Sequence, residues 1–170
     1  MKVKKQKYLV WLFLTFIFMM VIYFISDMPY EAQDIKPLLE SKMEKKFISV
    51  PDVKIKYDQQ VVSSSSPYEF IEFLYRKAGH ILGYFTLTLL WIKTLSYTKL
   101  KLAKKLLFSI LLSIAYAGMD EFHQTFVPGR TGHLIDVVVV DLMGVVLAVV
   151  CVVVIEAFKS KSNTEVRNEV

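Results

Sequence analysis

Eight residues between Asp120 and Asp141 carry functional groups: Asp120, Glu121, His123, Gln124, Arg130, His133, Asp136 and Asp141. Well upstream stand Arg76, Lys77, His80 and Tyr84. Carboxylates and imidazoles trade protons and ligate cations, and a guanidinium clamps phosphate or carboxylate in a bidentate way. Both groups of residues are embedded in apolar runs, where an ionisable side chain is costly enough to be a functional candidate by default. A purely structural ion-pair network is the plain alternative: Arg76 and Arg130 neutralise the acids, and His123 and Gln124 complete the hydrogen bonds. The proportions weigh against it. Asp120, Glu121, Asp136 and Asp141 outnumber the two arginines, and apolar residues would hold a bundle at lower cost. Some of these acids are therefore expected to retain a proton, bind a cation or line an aqueous pocket.

Recognisable enzyme signatures are missing. The chain has no His-Glu-x-x-His, and although Asp120, His123 and His80 are permissible ligand types, their spacing is not diagnostic. Neither a metal nor another cofactor is expected, and no catalytic residue can be assigned. The only cysteine, Cys151, excludes an intrachain disulfide and reads as a small apolar filler.

The elements that must position these groups are apolar helices. Hydrophobic residues make up 54% of the 170, and the mean hydropathy is +0.42, which places the chain in the membrane class. The formal charge of +5 does not mark a nucleic-acid partner, because the lysines flank apolar runs and form no single basic face. Lys2, Lys4, Lys5 and Lys7 precede an uncharged run from Tyr8 to Ser26. Tyr23-Phe-Ile-Ser26 lacks the small residues of a cleavage site, so this run reads as an uncleaved first span. Residues 27–74 are polar and nearly charge-balanced, and so can be translocated.

Within that segment Leu39, Met43 and Phe47 have helical spacing after Pro37, and Val53, Ile55 and Tyr57 alternate as in a strand. Ser63 to Ser66 read as a flexible connection, and Ser66-Pro-Tyr-Glu69 as a capping box opening a helix from Pro67 to about Leu95. Arg76, His80 and Tyr84 share one face of it, with Gly83 allowing a neighbour to approach. The third apolar run, Leu106 to Met119, is short for a span. Pro128 and Gly129 have the chemistry of a type II turn, which makes the third and fourth helices a hairpin. Asp136 and Asp141 lie about 140° apart around an α-helix and need not share a partner.

The expected fold class is an all-α membrane protein with four transmembrane helices, at about 8–26, 76–97, 103–126 and 134–158. Residues 27–74 form a small extracytoplasmic insert and 159–170 a tail. Basic residues at both ends and at Lys93, Lys99, Lys101, Lys104 and Lys105 place both termini in the cytoplasm. Arg76, Lys77, His80, Tyr84, Asp120, Glu121, His123, Gln124, Arg130, Asp136 and Asp141 then all belong to one outward-facing polar pocket.

Three segments in order resemble a known family. They are Arg76-Lys-Ala-Gly-His80 with Tyr84; Asp120-Glu-Phe-His-Gln124 with Phe126-Val-Pro-Gly-Arg130; and Asp136 and Asp141 with Gly144. Together they are similar to the motif set of the VanZ-like membrane proteins. Ser26-Asp-Met-Pro-Tyr-Glu-Ala-Gln33 is similar to that family's Ser-x-x-Pro region, so the resemblance covers about residues 10–155. Asp141 departs from it, standing where asparagine is common, as does the glycine at position 79 beside the histidine.

The resemblance implies a bacterial, multi-pass cell-membrane protein of a family named for a teicoplanin-resistance accessory protein. It implies no reaction, substrate or cofactor. The expected role is engagement of an envelope lipid or glycolipid by the outward pocket, which alters the access of lipoglycopeptides. Arg76, Lys77 and Arg130 would meet anionic headgroups, while His80, Asp120, Glu121 and Asp136 would orient the ligand or carry protons. Two alternatives stay open: a transferase or hydrolase acting on an envelope lipid, with His80 or Glu121 as general base, and a non-catalytic assembly partner of a membrane complex. Beyond the lipid bilayer no partner is fixed, and the oligomeric state is left open.

Overall fold

The computed structural model describes residues 2–42, 53–57 and 60–168. Four long helices dominate it: α1 (Lys2–Ser26), α4 (Pro67–Ser96), α5 (Leu102–Gln124) and α6 (Leu142–Asn168). Between α1 and α4 lie the short helices α2 (Tyr30–Gln33) and α3 (Lys36–Lys42) and an antiparallel hairpin of β1 (Lys54–Tyr57) and β2 (Gln60–Ser63). Lys54 pairs with Ser63 and Tyr57 with Gln60.

Among the described residues, three helical stretches are long and apolar enough to cross a membrane: Val3–Ser26, Leu102–Gln124 and Asp136–Ser162. Their outward faces carry Phe13, Phe16, Leu111, Leu112, Val150 and Val154, all exposed, an arrangement suited to lipid and unfavourable in water. The fourth expected span lies within α4, which is the longest helix but is not among those three. Its position explains its composition. Helix α4 packs against α1, α5 and α6, whereas those three touch each other little. A central helix is shielded from its surroundings by its neighbours, so it need not be apolar all round.

Helix α4 uses that freedom for hydrogen bonds between helices. Thr88 Oγ1 donates to Ser113 Oγ of α5 at 2.9 Å, and Thr94 Oγ1 lies 3.0 Å from Thr15 Oγ1 of α1. The Tyr116 hydroxyl of α5 donates to Met19 O of α1 at 2.5 Å. Around these bonds Tyr84, Leu87 and Trp91 of α4 pack with Ala117 and Val145, and the core extends to Leu12, Phe18 and Met19 of α1.

The glycine that lets helices meet is Gly144, not Gly83. A Cβ on Gly144 would lie 2.3 Å from Ile81 O, whereas nothing stands within 4 Å of one on Gly83. Helix α6 therefore crosses α4 with its backbone nearly in contact beside His80.

Several local expectations change in detail. Of the strand expected over Val53, Ile55 and Tyr57, β1 takes in Ile55 and Tyr57 and begins one residue after Val53. Helix α3 contains Leu39, while Met43 and Phe47 lie outside the described residues. The serine run is a hydrogen-bonded turn: Ser66 N–H donates to Ser63 O, and Ser64 Oγ accepts from Val53 N–H at 2.8 Å. Helix α4 begins at Pro67, but Ser66 makes no capping bond through its side chain. Helix α6 continues through Asn168.

Candidate functional site

The site lies at the end of the bundle where α1 and α5 finish and α4 begins. Here the loop after α5 turns sharply. Arg130 N–H donates to Val127 O at 3.1 Å, and Gly129 has φ of +71°, the left-handed position that a type II turn requires of its third residue. The loop then folds back onto α5 so closely that a Cβ on Gly132 would lie 2.0 Å from Glu121 O. That approach brings the His133 backbone N–H to Glu121 Oε2 at 2.8 Å.

After the loop, Asp136–Asp141 form one turn of π-helix before α6. This turn corrects the angular argument made from the sequence. Hydrogen bonds of i→i+5 type put more residues in each turn, so residues five apart return to nearly the same side. Asp136 and Asp141 both point inward, 5% and 1% exposed. Each finds its own partner on α4, one turn apart. Lys77 Nζ donates to Asp136 Oδ1 at 2.5 Å, and His80 Nδ1 lies 3.1 Å from Asp141 Oδ1.

Above this layer is a cavity of about 520 Å³, which the α1–α4 connection helps to wall. Of the sequence-derived residues, Arg76, Lys77, His80, Gln124, Arg130 and Asp136 line it, together with Gly129 of the turn. Its other polar walls include Tyr30, Lys36, Tyr57, Glu72 and His133. Glu72 is 3% exposed and is the hub of this wall: it accepts from the Tyr30 hydroxyl at 3.1 Å and pairs with Lys36 at 3.8 Å and Arg76 at 3.9 Å. Tyr57 donates its hydroxyl to Asp136 Oδ1, and Lys77 lies over its ring, 4.4 Å from the centroid. Burial, and then the neighbouring Asp136, push the Tyr57 phenol far above its ordinary range, so it remains a donor.

Arg130 is placed differently from the other cations. Nη1 donates to Ser26 O at 3.1 Å and to Gln33 Oε1 at 3.3 Å, and among the described residues Arg130 is ion-paired with no carboxylate. Burial lowers its pKa from the usual guanidinium value, with Asp120 and Glu121 opposing the shift.

Beneath the cavity is a second, enclosed cluster. Gln124 Nε2 donates to Asp120 Oδ2 at 3.1 Å and to Glu121 Oε1 at 3.4 Å, and His80 Nδ1 stands 3.9 Å from Glu121 Oε1. Tyr84 stacks under the His80 ring, with centroids 6.4 Å apart. Asp120 Oδ1, Asp141 Oδ2 and the Tyr84 hydroxyl are buried with no hydrogen-bond partner among the described residues. One sequence candidate belongs to neither layer. His123 faces α1, where its Nε2 lies 3.0 Å from Asp27 Oδ1 and its ring packs on Tyr23.

Among the cavity-wall residues outside the sequence-derived candidates are Glu72, Lys36, Tyr30 and Tyr57. Glu72 was detectable, standing one helical turn before Arg76. Lys36 and Tyr57 carried no such signal, because their place depends on how the α1–α4 connection folds back over the helices.

The model of the family described as VanZ/LLP1 matches residues 11–156, which takes in both layers and every element around them. No curated protein and no solved structure matches the chain.

Proposed function

The chain belongs to the VanZ/LLP1 family, and we propose that it works in the cell membrane as a four-span protein whose cavity faces outward and engages the anionic headgroup of an envelope lipid or glycolipid. In doing so it alters the access of lipoglycopeptides such as teicoplanin to the cell surface.

The fourth span is α4, whose Tyr84, Thr88 and Thr94 are buried where it packs against α1, α5 and α6. The lysines around the α4–α5 turn and at both ends of the chain favour the cytoplasm for that side of the bundle. The cavity, at the opposite end, then opens outward at the depth of lipid headgroups.

The observation that carries the reading is the charge balance of the cavity wall. Lys36, Arg76, Lys77 and Arg130 face Glu69, Glu72 and Asp136. Lys36 and Arg76 share Glu72 and Lys77 holds Asp136, so the unmatched cation is Arg130. A partly buried guanidinium held in place by two oxygen acceptors is suited to a phosphate or carboxylate, which it meets through charge-assisted hydrogen bonds.

The test uses the full chain in nanodiscs of zwitterionic lipid, with phosphatidylglycerol titrated in and bound lipid counted by native mass spectrometry. Preferential retention of the anionic lipid, weakened on the order of tenfold by Arg130→Ala, supports the reading, since a hydrogen bond to a charged group contributes about 1.5–3 kcal/mol. Equal retention of both lipids, or no effect of Arg130→Ala, refutes it.

A further inference from the structure

The enclosed cluster beneath the cavity is not needed to explain headgroup binding, and it has a chemistry of its own. We propose that His80, Glu121 and Asp141 form a binding site for a divalent transition-type metal ion, Zn²⁺ or Mn²⁺.

The three donors come from three different elements: α4, α5 and the π-helical turn. One nitrogen of His80 and one oxygen each of Glu121 and Asp141 lie within 4.8 Å of one another. The separations from His80 Nδ1 are 3.1 Å to Asp141 Oδ1 and 3.9 Å to Glu121 Oε1. Ligands about 2.0–2.1 Å from a tetrahedral zinc stand roughly 3.4 Å from one another. The two distances from His80 straddle that value, and all three donors lie within 4.8 Å of one another, so side-chain adjustments bring them to an ion between them. An imidazole with two carboxylates suits zinc or manganese better than calcium, which takes oxygen ligands alone.

Two independent observations indicate that the cluster lacks a partner. Asp141 is 1% exposed, and its second oxygen, Oδ2, accepts no hydrogen bond from any of the described residues. Tyr84, also 1% exposed and stacked on the His80 ring, has a hydroxyl with no hydrogen-bond partner among the described residues. Unpaired buried oxygens beside clustered carboxylates are costly, and a bound cation offsets that cost. Local cations are committed elsewhere: Lys77 to Asp136, Arg76 to Glu72, and Arg130 to Ser26 O and Gln33.

The supporting contacts resemble those of a metal centre. Glu121 is oriented by the His133 backbone N–H and by Gln124. His80 also lines the cavity floor, so an ion on its nitrogen would lie next to whatever the cavity holds.

The experiment is direct metal binding to the full-length protein in detergent, stripped with chelator and dialysed against Zn²⁺, Mn²⁺ or Co²⁺, with no lipid ligand added. One ion per chain is expected. Co²⁺ should give the visible absorption of a low-symmetry, imidazole-containing site in the wild type, a readout that needs no variant. Asp141→Asn and Glu121→Gln should each weaken binding on the order of a hundredfold, the upper end of what removing a supporting partner costs. Glu156→Gln, which removes an exposed carboxylate of α6 outside both the cavity and the three, should not. Should a triad variant fail to fold, the wild-type stoichiometry and Co²⁺ spectrum decide the matter. The proposal is overturned by wild-type protein that takes up no ion, or by folded triad variants that bind as tightly as wild type. Because lipid is absent from the readout, this outcome does not depend on whether the cavity binds an anionic headgroup.

Discussion

Replacing Gly144 with alanine tests how the helix crossing positions the site. The added Cβ would lie 2.3 Å from Ile81 O and 3.0 Å from Phe85 N, where separations below 3.0 Å are essentially never seen and those from 3.4 Å are ordinary. The two helices must separate by about 0.7–1.1 Å, an overpacking that typically costs about 1–3 kcal/mol. The consequence falls on the neighbouring pair. Ile81 follows His80, and Gly144 lies one turn beyond Asp141, so the same displacement stretches the 3.1 Å His80–Asp141 hydrogen bond to about 4 Å, outside bonding range. With the helices forced apart and this bond broken, the variant should be destabilised by about 3 kcal/mol, or roughly 6–12 °C for a chain of this size. The assay is thermal unfolding of purified protein in detergent, followed by circular dichroism. Because the obstruction is backbone, Ile81→Ala should not rescue Gly144→Ala. Gly83→Ala, with open space around it, should be neutral or stabilising by up to about 1 kcal/mol. Wild-type melting of Gly144→Ala, or rescue by Ile81→Ala, would show that the crossing is not the close approach described.

Further outcomes follow from the same geometry. Lys77→Met leaves Asp136 buried without its counter-ion and should cost about 3 kcal/mol in the same melting assay, most of it recovered in the double variant with Asp136→Asn. Gly129→Ala forces an alanine to φ of +71° and should cost about 1–2 kcal/mol. Thr88→Val removes the hydroxyl shared between α4 and α5 and should cost only about 0.6 kcal/mol, as hydrogen bonds between membrane helices typically do. In cells, Arg130→Ala should remove any teicoplanin protection while leaving membrane abundance unchanged, as read by susceptibility beside an immunoblot.

The helices were legible in the sequence because apolar runs, Pro67 and the Pro128-Gly129 turn act locally. The central place of α4 was legible only in part. Arg76, His80 and Tyr84, recurring every four residues, marked one shared polar face, while the helix's lower apolarity gave no indication that three other helices surround it. The relation between Asp136 and Asp141 was hidden because a sequence is read with an α-helical period, and a single π-helical turn rotates the second acid back toward the first. Glu72 could have been found by its spacing from Arg76. Lys36 and Tyr57 could not, since only the folded connection carries them to the cavity. His123 shared the motif of Asp120 and Glu121, yet its position on α5 turns it toward Asp27, just after α1.

The most direct measurement concerns the side to which the cavity opens. In intact cells carrying Cys151→Ser, a cysteine introduced at Thr131 in the cavity loop is treated with a membrane-impermeant maleimide, beside one introduced at Thr98 in the α4–α5 turn. An outward-opening cavity gives labelling at position 131 in intact cells and at position 98 only after the membrane is opened. Labelling at 98 with protection at 131 would place the cavity in the cytoplasm and contradict an envelope ligand.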